Sequence, residues 1–243
     1  MVTKIKANIL KDFLKKSTVN GAIEDCKLQF KSDGLNMIHK DQPGVILVAG
    51  VLDKKAFNGY EEMEIPIKNS KTLIDVLSTF GDNIINIVKS DNMIKLQDEN
   101  GGIDLALAEE VICHKEGVPE LEYDNKIIIK KSMVDTISKR NSIVKSDELK
   151  VILKDKKILL KVGKEIDKAE VSEIVNSDKE VETNFDWSYF KSLTEQMDSI
   201  VDLSLSKELP SKFEEKSEMY SIQYFLTPIT ESEWKTVNFV ERR

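Results

Sequence analysis

Apolar and polar residues alternate in short runs over most of the chain, at residues 27–30, 45–52, 63–67, 84–88, 103–107, 127–129, 151–153, 158–162 and 222–226. Alternation turns one face of an extended segment toward a core and the other toward water, so each run is expected to be a strand. Gly, Asp, Asn or Lys residues bound many of the runs, as turns require. Four segments carry helical spacing instead: Ile9, Leu10, Phe13 and Leu14; Leu73, Ile74 and Leu77; Met133, Val134 and Ile137; Trp187, Phe190, Leu193 and Met197. Two helices therefore fall in each half of a strand-rich chain.

The halves repeat each other at an offset of 116 residues: Leu77, Asp82, Ile84, Ile85 and Ile87 map onto Leu193, Asp198, Ile200, Val201 and Leu203. With 243 residues and 40% hydrophobic content, the chain can bury two cores of about 120 residues each. Between the halves, residues 108–125 hold six acids against one lysine, with Gly117 and Pro119 interrupting any regular element. The expected organisation is a domain over 1–112, a connector over 113–125 and a second domain over 126–243.

Charge changes this picture by where it lies. Overall, 43 acids face 36 bases for a formal charge of −7, which excludes a uniformly basic nucleic-acid binder. Yet residues 1–16 net +4 and residues 126–145 net +5, each segment covering the first helix of its half. The second helices differ, residues 68–81 netting +1 and 186–198 netting −2. Cys26 and Cys113 show neither disulfide nor zinc spacing, and His39 and His114 lack a nucleophile or a ligand cluster. No phosphate-binding glycine loop, nucleophile elbow or zinc-protease signature occurs, so no enzymatic activity, cofactor or metal is expected. The first fourteen residues lack the apolar core of a signal peptide, and no stretch approaches a membrane span, so no membrane partner is expected.

Three stretches stand out, DGLNMIHKDQPGVILVAGVLDKKAFNGYE at 33–61, EGVPELEY at 116–123 and YFLTPI at 224–229. They resemble the central signature, interdomain loop and C-terminal strand of the proliferating cell nuclear antigen (PCNA) family of DNA sliding clamps. Lys40, Gly44 and the longer tail 230–243 depart from the family pattern, as does the low charge of the second helices. The resemblance implies an α+β fold: two tandem clamp (processivity-fold) domains, each of antiparallel sheets with two helices on one face, assembling into a trimeric ring. Helices would line that ring and hold double-stranded DNA without reading its sequence, through diffuse lysine contacts to phosphates.

The resemblance also assigns expected roles. Lys11, Lys15, Lys16, Lys139, Arg140 and Lys191 are the DNA-facing candidates. Lys131 and Lys145 are further candidates in the second half. At the subunit interface, Ile103, Leu105 and Leu107 would pair with a neighbour's strand at 168–175 carrying Ala169 and Val171. An apolar pocket under the connector would comprise Val45, Leu47, Val118, Pro119, Pro210, Phe225, Leu226 and Pro228, and take short peptides from polymerase, clamp loader, ligase and nuclease. Singly, Leu47, Phe225 and Leu226 read as ordinary core; their joint placement in the motifs carries the inference. The alternatives are a subunit of a heterotrimeric clamp and a viral processivity factor acting as monomer or dimer. The expected location is cytoplasmic, at a nucleoid or viral replication site, or nuclear in a eukaryote. In the tail, Trp234 and Phe239 could dock on the clamp's own surface or extend a strand.

Overall fold

The computed structural model describes residues 2–109, 118, 120–123, 125–164, 167–177, 179–198, 200–206 and 209–229. The chain forms two compact units. One comprises Met1–Gln42, Val48–Val118 and Lys216–Ile222; the other comprises Pro43–Leu47, Pro119–Glu215 and Gln223–Arg243. Each unit thus borrows a short segment from the opposite half of the sequence.

The first unit opens with β1 (Thr3–Lys6) and α1 (Ala7–Ser17), followed by β2 (Cys26–Lys31), β3 (Gly34–Lys40) and β4 (Ile46–Asp53, from residue 48 in this unit). A 3₁₀ turn at Lys54–Ala56 leads to β5 (Phe57–Gly59), β6 (Met63–Ile67), α2 (Ser70–Thr79), β7 (Ile84–Lys89), β8 (Met93–Gln97) and β9 (Gly102–Ala106). Antiparallel strands form one sheet in the order β5-β1-β7-β8-β9, and β6, β2, β3 and β4 are successive neighbours in another. α1 and α2 pack on each other and bury the residues their spacing marks, Leu10, Phe13 and Leu14 with Leu73, Ile74 and Leu77. Gly34 closes the two-residue turn between β2 and β3 at φ +144°, and a Cβ there would run into the carbonyl of Leu52. Gly34 of the central motif is therefore a backbone requirement.

The second unit repeats the plan: β10 (Asn125–Lys130), α3 (Lys131–Val144), β11 (Glu148–Lys154), β12 (Lys157–Lys164), β13 (Asp167–Ile174), β14 (Val181–Asp186), α4 (Trp187–Thr194), β15 (Ile200–Leu205) and β16 (Ser211–Lys216). β17 (Tyr220–Leu226) enters it at residue 223. Here β13, β12, β11 and β14 form one antiparallel sheet, and β10, β15, β16 and β17 are neighbours in another. The repeat is physical: Ile5 pairs with Ile85 and Ile129 with Val201, each first partner lies two residues before a helix, and all four are fully buried. Ile87 and Leu203, and Leu77 and Leu193, are buried in the same corresponding way.

Two differences from the sequence pattern have clear causes. α4 stops at Thr194, short of Met197, because Gln196 N and Met197 N bond three residues back to Leu193 O and Thr194 O and tighten the last turn. Met197 is still buried at 3% exposure, so its spacing reported burial rather than helix. Strands β1, β3, β5, β8, β13, β14, β15 and β16 extend the set read from the alternating runs. β16, Ser-Lys-Phe-Glu-Glu-Lys, carries one large apolar residue, Phe213, and is held by pairing to β15 at Leu203 rather than by its own pattern. Among the described residues, no helix is long and apolar enough to cross a membrane.

Candidate functional site

The helix starts differ within each unit. α1 and α3 follow extended lysines, Lys6 and Lys130, that provide no side-chain cap, and Ala7 N instead donates to Asn83 O at 2.9 Å. α2 and α4 start on side-chain caps: Asn69 accepts from Thr72 N, and Asp186 accepts from Ser188 N and Tyr189 N. Acidic or amide side chains thus stabilise the starts of the less basic helices.

The six DNA-facing candidates occupy unlike surroundings. Lys11, Lys15 and Lys16 are half-buried on α1, with Lys11 Nζ 3.9 Å from Asp12 Oδ1 and Lys16 Nζ 5.8 Å from the centre of the Tyr220 ring. Lys15 and Lys16 also lie in the last turn, where cations oppose the helix dipole. Lys139 and Arg140 are exposed on α3, but Arg140 Nη1 donates to Glu170 O on β13 and so is turned toward a strand. Lys191 is exposed on α4 with its Nζ 3.6 Å from Glu195 Oε1, a solvent-exposed pair one helical turn apart. Lys131 is likewise held by Asp135 at 2.6 Å.

Both strands named for the subunit interface are terminal in their sheets, β9 in the first unit and β13 in the second. Ile103, Leu105 and Leu107 are half-buried, as are Ala169 and Val171, while the intervening residues are exposed. Leu107 N donates to Asn92 O and Asp98 N to Gly101 O, each at 2.9 Å. The alternation of an antiparallel ladder then points the backbone polar groups of Gly102, Asp104 and Ala106 away from β8. Unpaired edges of this kind are templates for another strand. Two other terminal strands carry a further backbone bond: Ile229 N donates to Asn184 O beside β14, and Ala108 N to Pro66 O beside β6.

The pocket candidates are brought together in part. Thr227 N donates to Val45 O at 3.0 Å, which places residues 225–228 beside Val45 and Leu47 in the second unit. Val45 and Leu47 are buried, and Phe225 and Leu226 are only 1% and 0% exposed, so these four are core residues rather than accessible wall. Pro228 is half-buried, Pro210 is buried, and Val118 ends the first unit 37% exposed. Pro119 lies outside the described residues, as do Cys113, His114 and the tail with Trp234 and Phe239.

Tyr123 Oη donates to Pro210 O at 2.8 Å, tying the connector to the start of β16. Lys212 Nζ sits 5.8 Å from the Tyr123 ring centre and 3.2 Å from Glu214 Oε1, and Gln223 Nε2 donates to the same oxygen at 2.7 Å. Burial, then the Glu214 charge, pushes the Tyr123 phenol well above its usual range. Sequence reasoning missed this cluster because its members come from the connector, β16 and β17 and share no local period. The only available signal was Tyr123 closing the connector motif.

A polar cleft of about 330 Å³ lies elsewhere in the second unit, lined by Lys145, Asp147, Glu148, Gly163, Lys164 and Asp167 among others. Its mixed charge and Lys164–Glu148 pair at 3.3 Å suit a solvated surface better than an apolar peptide site. Among the described residues, no group of three or more His, Cys, Asp or Glu is placed to hold a metal ion. His39 is buried with Nε2 3.2 Å from Lys27 N and O, bridging β2 and β3.

No protein-family model matches the chain, and no curated protein matches it in sequence. Solved structures do. PCNA of A. fulgidus bound to the C-terminal region of FEN-1 superposes with a TM-score of 0.80 at 19% identity, covering 96% of this chain and 100% of that one. PCNA from Entamoeba histolytica superposes with a TM-score of 0.80 at 19% identity, covering 94% of this chain and 98% of that one. Likeness over nearly all of both chains, with the repeated helix and sheet plan, shows that this protein has the PCNA-type sliding-clamp fold.

Proposed function

We propose that the protein is a non-catalytic DNA sliding clamp: a subunit that pairs with copies of itself into a trimeric ring around duplex DNA and tethers replication and repair enzymes. The observation that carries this reading is the clamp fold over 96% of the chain. The open edges of β9 and β13 support closure by strand pairing. α1 and α3 supply the cations for sequence-independent phosphate contact, with Lys11, Lys15, Lys16 and Lys139 contributing most and Lys191 less. Polymerase, clamp loader, ligase and nuclease would dock through short peptides over the core residues Val45, Leu47, Phe225 and Leu226. The binding of the C-terminal region of FEN-1 to PCNA of A. fulgidus supports partners that dock through peptide segments.

Light scattering across a protein concentration series tests ring closure, and retention on nicked circular against linear DNA tests encirclement. A mass of three subunits with retention lost on linearisation is the expected outcome. A persistent monomer or dimer would instead assign the chain to a heterotrimeric ring or to a processivity factor that does not encircle DNA alone.

A further inference from the structure

The chemistry of the open edge of β13 can be read from one hydrogen bond. Val175 N donates to Lys156 O at 2.9 Å, and β12 and β13 stay in register from Lys157 opposite Ile174 to Lys164 opposite Asp167. In an antiparallel ladder, pairs that exchange hydrogen bonds alternate with pairs that do not. Ala169, Val171 and Glu173 therefore direct their backbone polar groups toward β12, while Lys168, Glu170, Ser172 and Ile174 direct theirs to the open side. One outward carbonyl is occupied, because Arg140 Nη1 donates to Glu170 O. The helix that delivers Arg140 is fastened to the same strand at its other end, where Lys130 Nζ lies 2.8 Å from Glu173 Oε1. A guanidinium there stands where the N–H of an incoming strand must come, and charged side chains at a sheet edge discourage strand addition.

We propose that Arg140 is a latch on the subunit seam: it holds the Glu170 carbonyl in the lone subunit and must let go before β9 of a second copy can pair along β13. The inference rests on the ring-subunit reading above. It moves Arg140 from simple phosphate contact to control of assembly. Opening the latch also returns its charge to the exposed face of α3 beside Lys139, so the cationic lining is completed only as the seam closes.

Sedimentation equilibrium of the full chain over a concentration series tests this with Arg140→Ala, Arg140→Gln and Lys139→Ala. Losing a charge-assisted hydrogen bond that opposes association should tighten each seam about two- to fivefold. Compounded over three seams, the trimer dissociation constant of Arg140→Ala should fall about tenfold to a hundredfold, and Arg140→Gln, too short to reach, should follow it. Lys139→Ala removes the same charge from the same helix without touching Glu170, so it reports charge repulsion alone and should tighten the ring less. Trimers no tighter in the Arg140 variants than in Lys139→Ala would overturn the latch while leaving the ring in place. Monomers at every concentration in all four proteins would overturn the ring reading and the latch with it.

Discussion

Asp104→Pro separates pairing within the chain from pairing between chains. Asp104 N points to the open side of β9, because Leu107 and Gly101 are the residues that exchange bonds with the β8 side. Proline there removes no ladder bond, and its fixed φ and the extended residue it requires before it both suit a strand. The Asp104 side chain lies opposite Lys95 on an exposed face, so its loss should cost within about 0.5 kcal/mol, under about 2 °C of melting temperature. The seam is affected differently. Each interface loses an N–H donor worth about 1 kcal/mol and leaves a facing carbonyl unpaired, so three seams lose about 3 kcal/mol, or more than about a hundredfold in association. Leu105→Pro is the contrast: its N–H faces β8 and its side chain is half-buried, so it should lower the melting temperature of the monomer itself. Thermal melts at dilute concentration and sedimentation equilibrium read the two effects separately. Equal melting losses for the two variants would refute the assigned edge orientation, and an unaltered trimer in Asp104→Pro would refute β9 as the seam.

Replacing Lys11, Lys15 and Lys16 together by alanine should reduce the slope of log DNA affinity against log salt by about 2 to 3, since each phosphate contact contributes about 0.9. An unchanged slope would assign these lysines to helix stabilisation alone. Asp186→Ala removes the acceptor for Ser188 N and Tyr189 N at 2.8 and 3.3 Å and should cost about 1 kcal/mol in urea unfolding, with Asp186→Ser recovering most of it. In acid, hydrogen bonds from Lys130 and Lys27 hold the Glu173 and Glu64 carboxyls below the usual carboxylate range. The folded chain then binds those protons less readily than the unfolded chain, so their stabilisation is present above the ordinary carboxylate pKa of about 4.3 and lost as pH falls through the lower folded values. Glu173→Gln should flatten part of that decline in urea midpoints, and an identical acid profile would refute the assignment. In base, burial pushes the Tyr60 phenol up to about 12, so stability should fall as pH rises from about 10 toward that value, with Tyr60→Phe removing this component.

Much of the fold was legible because burial writes a local period. The helical spacing of Phe13, Leu73, Ile137 and Phe190 and the repeat joining Ile85 to Val201 needed no partner to be read, since each records which side of its own element faces a core. Partnership between distant segments leaves no such record. Nothing local to β16 marks it as a strand, and nothing near Tyr123 foretells Pro210, Lys212 and Glu214 around it. Lys139 and Arg140 are adjacent cations in the sequence, yet only the second reaches a strand carbonyl 30 residues away. By itself, the sequence determined the four helices, the alternating strands, their duplication and the motifs that resemble PCNA, because propensity and amphipathic period act over a few residues. Only the tertiary structure decided which strand edges stay open, which lysines are already paired and which of the residues expected in a pocket are buried, because those depend on distances between segments that no local pattern encodes.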